Sequence, residues 1–155
     1  MQRSYDIAEL SGTLGLAANL ASRLRNGDVV LLEGDLGMGK STFARALIQA
    51  RAGSAIDVPS PTFTLVQPYD LGDLSILHAD LYRLNDPDES RELGLEDALD
   101  RAALLVEWPE RLPDLYHLDH LRVSFGGDLV NNSDRRLINV AGTPSWHARI
   151  TDLAP

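Results

Sequence analysis

Residues 34–41 read Gly34-Asp35-Leu36-Gly37-Met38-Gly39-Lys40-Ser41, which satisfies G-x-x-x-x-G-K-[ST] in full and constrains the fold more than any other stretch. Before it lies Val29 to Leu32, a continuous apolar, β-rich run ending at Glu33. After it, from Ser41 to Arg51, Phe43, Ala44, Leu47 and Ile48 recur at helical spacing. The order strand, glycine loop, helix predicts a strand buried on both faces, as in a parallel sheet covered by helices. Such a loop wraps a phosphate so closely that Cβ atoms would collide, while backbone N–H groups and the helix N-terminus supply positive potential. Lys40 is expected to neutralise the β and γ phosphates, Ser41 to offer its hydroxyl to magnesium, and Thr42 to hydrogen-bond a phosphate nearby. Thirteen of the 14 basic residues are arginine and the single lysine is Lys40, so this position selects a compact ammonium.

The remaining composition bounds what can surround that loop. At 155 residues the chain has the size of one compact domain, and 1–155 is expected to be a single P-loop ATPase domain. Its longest strictly apolar run, Ala102 to Val106, is far short of the roughly 20 residues that span a bilayer. The N-terminus carries Asp6 and Glu9 and builds no signal-peptide core, which predicts a cytoplasmic protein without membrane attachment. The absence of cysteine excludes disulfides, thiolate nucleophiles and cysteine-ligated metals. With 14 basic against 23 acidic residues the net charge is −9, a field that disfavours autonomous nucleic-acid binding.

Leu10, Leu14, Ala17, Ala21 and Leu24 fall at spacings of four and three and predict a helix stopped by Asn26 and Gly27. Phe63 to Val66 and Leu74 to Leu77 read as strands flanking the turn Asp70-Leu71-Gly72-Asp73, an antiparallel hairpin that makes the sheet mixed. Asp86-Pro87-Asp88-Glu89 is a helix start with its cap, and Gly94 interrupts or ends that helix. Ala102 to Val106 reads as a buried strand or a helix end, and its abrupt stop at Glu107, Trp108 and Pro109 favours a strand emptying into a loop. Leu121 to Phe125 and Arg136 to Val140 suggest a closing hairpin.

A nucleotide hydrolase of this kind needs an acidic side chain at a strand end to hold magnesium or its water. Asp80, after Leu74 to Ala79, and Glu107, after Ala103 to Val106, both fit, and spacing does not rank them. A guanine-specific protein would carry Asn-Lys-x-Asp late in the chain, and no lysine follows Lys40, so ATP is the expected nucleotide.

Five ordered motifs then carry a resemblance. Gly34 to Phe43, Ser60-Pro61-Thr62-Phe63-Thr64-Leu65-Val66, His78-Ala79-Asp80-Leu81-Tyr82-Arg83-Leu84, Leu93-Gly94-Leu95 and Val106-Glu107-Trp108-Pro109-Glu110 resemble the TsaE (YjeE) family. That is the bacterial ATPase family of tRNA threonylcarbamoyladenosine biosynthesis. The resemblance implies an α/β P-loop NTPase fold, three-layered with a mixed parallel and antiparallel sheet. It further implies slow hydrolysis of ATP with Mg2+, stimulated by the partner proteins TsaB and TsaD, in support of threonylcarbamoyl transfer to tRNA adenosine 37. By the same resemblance Ser41 and Glu107 bind magnesium, Asp80 matches the second acidic position, and Ser60, Thr62 and Thr64 lie in a switch-like loop.

The expected sites follow. Lys40, Glu107 and Asp80 are catalytic candidates, and Ser41, Glu107 and Asp80 metal candidates. Gly34, Asp35, Gly37, Met38, Gly39, Lys40, Ser41, Thr42 and Arg136 are expected at the nucleotide. The family often has Gly-Arg-x-x-Arg in the last hairpin where this chain reads Asn132-Ser133-Asp134-Arg135-Arg136, which leaves Arg135 as the alternative to Arg136. Trp108 fits either a ligand stack or an apolar anchor, Arg83 a partner contact, and His117 with His120 a surface pair. Two other functions compete: a small-molecule kinase on the same loop, which would need an arginine-rich lid, and a nucleotide sensor that does not hydrolyse. The carboxylates Asp80 and Glu107 favour hydrolysis, and tRNA is expected to be reached only through the partner proteins.

Overall fold

Among the described residues, 1–127 and 134–155, a computed structural model shows seven strands in one sheet. The elements are β1 (Gln2–Ile7), α1 (Leu10–Ala21), β2 (Val29–Glu33), α2 (Lys40–Ala52), β3 (Val66–Asp70), β4 (Ser75–Asp80), α3 (Ser90–Leu93), β5 (Ala103–Glu107), β6 (Leu121–Gly126), β7 (Arg136–Gly142) and α4 (His147–Ile150). The strand order is β1-β7-β6-β2-β5-β4-β3. β6, β2, β5 and β4 run parallel, β3 pairs antiparallel with β4 at one edge, and at the other side β7 pairs antiparallel with both β6 and the edge strand β1, so the expected mixed sheet is present.

The central strands are buried on both faces, as their continuous apolar runs require. Val30, Leu32, Ala103 and Leu105 pack with α1 and α2 residues such as Leu16, Leu20, Phe43 and Leu47. Val29, Leu31, Leu104 and Val106 face the other way, onto Leu81, Leu84, Leu95, Leu112 and Leu115 from the loops and short 3-10 turns. The sheet thus lies between a helical layer and a layer of short turns. No helix among the described residues is long and apolar enough to cross a membrane.

Four elements differ from the sequence reading. α1 forms where expected, but its buried face is Thr13, Leu16, Ala17, Leu20 and Ala21, and Leu10 and Leu14 are exposed. At the start of α1, Gly12 lies so close to β1 that a Cβ there would stand 2.8 Å from the Ile7 side chain. The first hairpin strand begins at Val66 rather than Phe63: the chain at Pro61–Leu65 closes a turn, Leu65 N–H bonding to Pro61 O at 2.7 Å. The Asp86 cap is real, its side chain accepting from Asp88 N–H at 2.9 Å, but it opens a 3-10 turn and a single helical turn that ends at the left-handed Gly94. β1 has no apolar alternation to announce it; as an edge strand paired to β7 it buries only Ile7 fully. Asn132 and Ser133, read above with Arg135 and Arg136, lie outside the described residues.

Candidate functional site

The phosphate loop leaves β2 beside β6 and enters α2. Gly34, at φ 143°, passes so close to β6 that a Cβ would stand 2.7 Å from Phe125 O, and Gly39, at φ 109°, turns the chain into α2 in a left-handed conformation. Both positions therefore require glycine. Arg136 on β7 braces the loop from outside, its Nε donating to Met38 O at 2.7 Å and its Nη2 to Gly37 O at 3.4 Å. Arg135 instead forms an exposed ion pair with Asp6 on β1 at 2.5 Å, so the register of β7 gives Arg136 to the loop and Arg135 to the edge.

Lys40 is 5% exposed. Its Nζ donates to Gly34 O and, at 2.9 Å, to Asp35 O, and stands 4.2 Å from the centre of the Trp108 ring. Burial lowers its pKa from the usual 10.5, and the charges of Glu107, Glu110, Asp80 and Asp35 oppose that shift. Trp108 follows the end of β5 with a left-handed φ of 58°, which turns the ring back over the loop. Its neighbour Tyr82 lies 4.9 Å away, ring centre to ring centre.

The parallel pairing of β4 with β5 sets Asp80 opposite Glu107 at the carboxyl ends of both strands. Glu107 Oε1 accepts from Ser41 Oγ at 2.7 Å and Oε2 bonds to His78 Nε2 at 2.7 Å. Asp80 accepts from Tyr82 N–H at 3.0 Å and from Thr62 Oγ1 at 3.1 Å. Burial raises the Asp80 pKa from 3.8; the hydrogen bond from Tyr82 opposes this, and the adjacent Glu107 charge adds to it.

A cleft of about 340 Å³ opens over these groups, lined by Gly37, Gly39, Lys40, Ser41, Thr42, Thr62, Asp80, Glu107 and Arg136 of the expected residues, with Leu36, Tyr82, Arg83 and Trp108 at its walls. Gly34, Asp35 and Met38 serve it through their backbone. In the switch-like segment Thr62 reaches Asp80 and Ser60 bonds to Thr62 at 2.7 Å, while Thr64 is exposed and away from the cleft. Arg83 stacks over Phe63 at 4.4 Å, linking that segment to the cleft rim. His117 is exposed, and His120 bonds through its Nδ1 to Leu118 O at 2.8 Å. His78 carries a contact to Glu107 that the motif reading did not assign; its spacing of two from Asp80 on a strand, which puts both on one face, was the available signal.

The family model described as threonylcarbamoyl adenosine biosynthesis protein TsaE matches residues 7–137. The chain is 39% identical over 128 residues to the tRNA threonylcarbamoyladenosine biosynthesis protein TsaE of Rickettsia bellii, covering 83% of this chain and 87% of that one. The protein of the same name from Rickettsia felis is 46% identical over 103 residues, 66% of this chain and 60% of its own length. The matched region thus spans less than two thirds of that relative. A crystal structure of Bacillus subtilis YdiB superposes with a TM-score of 0.71 at 27% identity, covering 99% of this chain and 94% of that one. The fold is that of a P-loop NTPase, and with the family model matched from β1 into β7, the chain belongs to the TsaE family.

Proposed function

We propose that the protein is a cytoplasmic ATPase that binds ATP with Mg2+, hydrolyses it slowly under stimulation by TsaB and TsaD, and so supports threonylcarbamoyl modification of tRNA adenosine 37. The observation that carries the reading is the Ser41–Glu107 hydrogen bond at the mouth of a complete phosphate loop. It joins the motif hydroxyl to a buried carboxylate from the neighbouring strand, the pairing a hydrolytic site requires.

The residues present fit Mg2+. Ser41, Glu107 and Asp80 offer oxygen donors at the cleft, and Mg2+ is usually held by one or two carboxylates plus substrate phosphates and water. When bound, the cation would neutralise charge on the transferred phosphoryl group.

This chain's own groups divide the remaining work. The loop N–H groups and Lys40 would hold the β and γ phosphates, with Arg136 keeping the loop in shape behind them. Glu107 and Asp80 are the carboxylates available to orient an attacking water. Thr62, bonded to Asp80, would carry the presence of the γ-phosphate into the Ser60 to Thr64 segment, whose exposed Phe63 offers a partner-facing surface.

ATP turnover with and without purified TsaB and TsaD, scored for phosphate release and for phosphorylated small molecules, tests the proposal. Phosphate release that rises in the complex supports it. A phosphorylated metabolite would instead establish a kinase, a reading weakened by Arg83 and Arg136 being the arginines that line the cleft.

A further inference from the structure

His78 is 2% exposed and Glu107 1% exposed, and they meet on the α2-facing side of the sheet. In the β4–β5 register His78 pairs with Leu105 and Asp80 with Glu107, so His78 and Glu107 are diagonal neighbours on one face. The 2.7 Å contact to Glu107 Oε2 assigns the proton to His78 Nε2, which then donates to the carboxylate. His78 Nδ1 is buried and has no partner among the described residues, so a proton there would be a donor with nothing to satisfy it. The ring is thus fixed as a donor to one oxygen of one carboxylate.

That contact decides where the other oxygen points. With Oε2 held by His78, Oε1 faces Ser41 at 2.7 Å and the phosphate loop. Asp80 stands beside Glu107 in register, and two carboxylates side by side repel; the His78 donor compensates Glu107 on the side away from Ser41. We infer that His78 is a positioning residue, which aims Glu107 at Ser41 by holding its second oxygen and so readies the oxygens that would meet the nucleotide's Mg2+. The inference rests on the ATPase reading and adds to it a residue that touches neither nucleotide nor cation.

The test compares ATP binding by calorimetry, with Mg2+ and with EDTA, for the full chain, His78→Leu and His78→Gln, alongside thermal melting. Gln presents an N–H donor at about the reach of Nε2, and Leu presents none. Loss of on the order of 10–100-fold of the Mg2+-dependent gain in His78→Leu, with affinity in EDTA kept and the gain recovered in His78→Gln, is the expected result. A lower Tm for His78→Leu with its Mg2+-dependent gain intact would overturn the inference in favour of a packing role. Should the Leu variant not fold, His78→Asn, whose shorter amide falls short of Glu107, takes its place against His78→Gln, and equal gains in the two would overturn it. A wild-type protein with no Mg2+-dependent gain would sink the ATPase reading itself. The side-chain 15N shifts of His78 are read separately: a protonated Nε2 with a bare Nδ1 supports the placement, and the opposite tautomer overturns it.

Discussion

Asp80 and Glu107 occupy paired positions at the ends of the parallel strands β4 and β5, which places two nearly fully buried carboxylates side by side on one face of the sheet. Their hydrogen bonds separate them: Glu107 is tied to Ser41 on α2, Asp80 to Thr62 in the loop before β3. Spacing left the two unranked, and the structure distinguishes them by neighbour, Glu107 beside the phosphate loop and Asp80 beside the switch-like segment.

Glu107→Ala is therefore expected still to bind ATP, with its affinity in EDTA kept and its Mg2+-dependent gain reduced as in His78→Leu, while turnover with TsaB and TsaD falls at least tenfold, since a water- or metal-positioning group matters more in the transition state than in the bound ground state. Steady-state phosphate release within about threefold of wild type, less than the tenfold that 1.36 kcal/mol represents, would pass the role to Asp80.

Lys40→Ala should lose ATP affinity by tenfold or more, because it removes the only lysine and the point charge for the β and γ phosphates. Calorimetry decides this. Unchanged affinity would dismiss the phosphate-loop assignment.

Asp80→Asn should stabilise the protein at neutral pH while reducing turnover. Burial lifts the Asp80 pKa above 3.8, so between 3.8 and the raised value the folded chain binds a proton that the unfolded chain has released. Stability conferred by the protonated form is thus lost as pH climbs through that window. The amide removes the burial penalty and can still accept from Tyr82 N–H. Thermal melts from pH 4 to 8 should show a Tm gain of about 2–4 °C for each kcal/mol relieved, shrinking toward pH 4. A gain independent of pH would show that Asp80 ionisation is not its source.

Trp146→Ala tests the packing of residues beyond the span that the family model matches. Trp146 is 1% exposed, packs in the α1-side core and stacks under Arg149 at 3.8 Å. Chemical denaturation should show a loss of about 3–5 kcal/mol, as for other buried tryptophans cut to alanine. A loss under 1 kcal/mol would mean that this end of the chain packs loosely.

The isolated protein should not retain tRNA at physiological salt, because phosphate neutralisation supplies most non-specific affinity and the chain's net charge is −9. Association with a TsaB–TsaD complex should instead depend on ATP. Tight, salt-sensitive tRNA binding by the lone protein would contradict the charge argument, and partner binding indifferent to nucleotide would contradict the switch.

What the sequence by itself determined was local. The phosphate loop, its flanking strand and helix, and the strand ending at Glu107 were legible because each is written in consecutive residues whose chemistry has few alternatives: glycines at positive φ, one lysine, unbroken apolar runs. The tertiary structure decided everything that depends on which strands lie side by side. Sheet order puts β5 between β2 and β4, and only that order brings Glu107 to Ser41 and His78 to Glu107. The register of β7 on β6 and β1 separates Arg136 from Arg135, adjacent residues that a motif could not rank. Polar β1 and the turn at Pro61–Leu65 escaped the hydrophobic pattern for the same reason: an edge strand and a surface turn are stabilised by partners far away in sequence, and periodicity records only what a segment buries of its own.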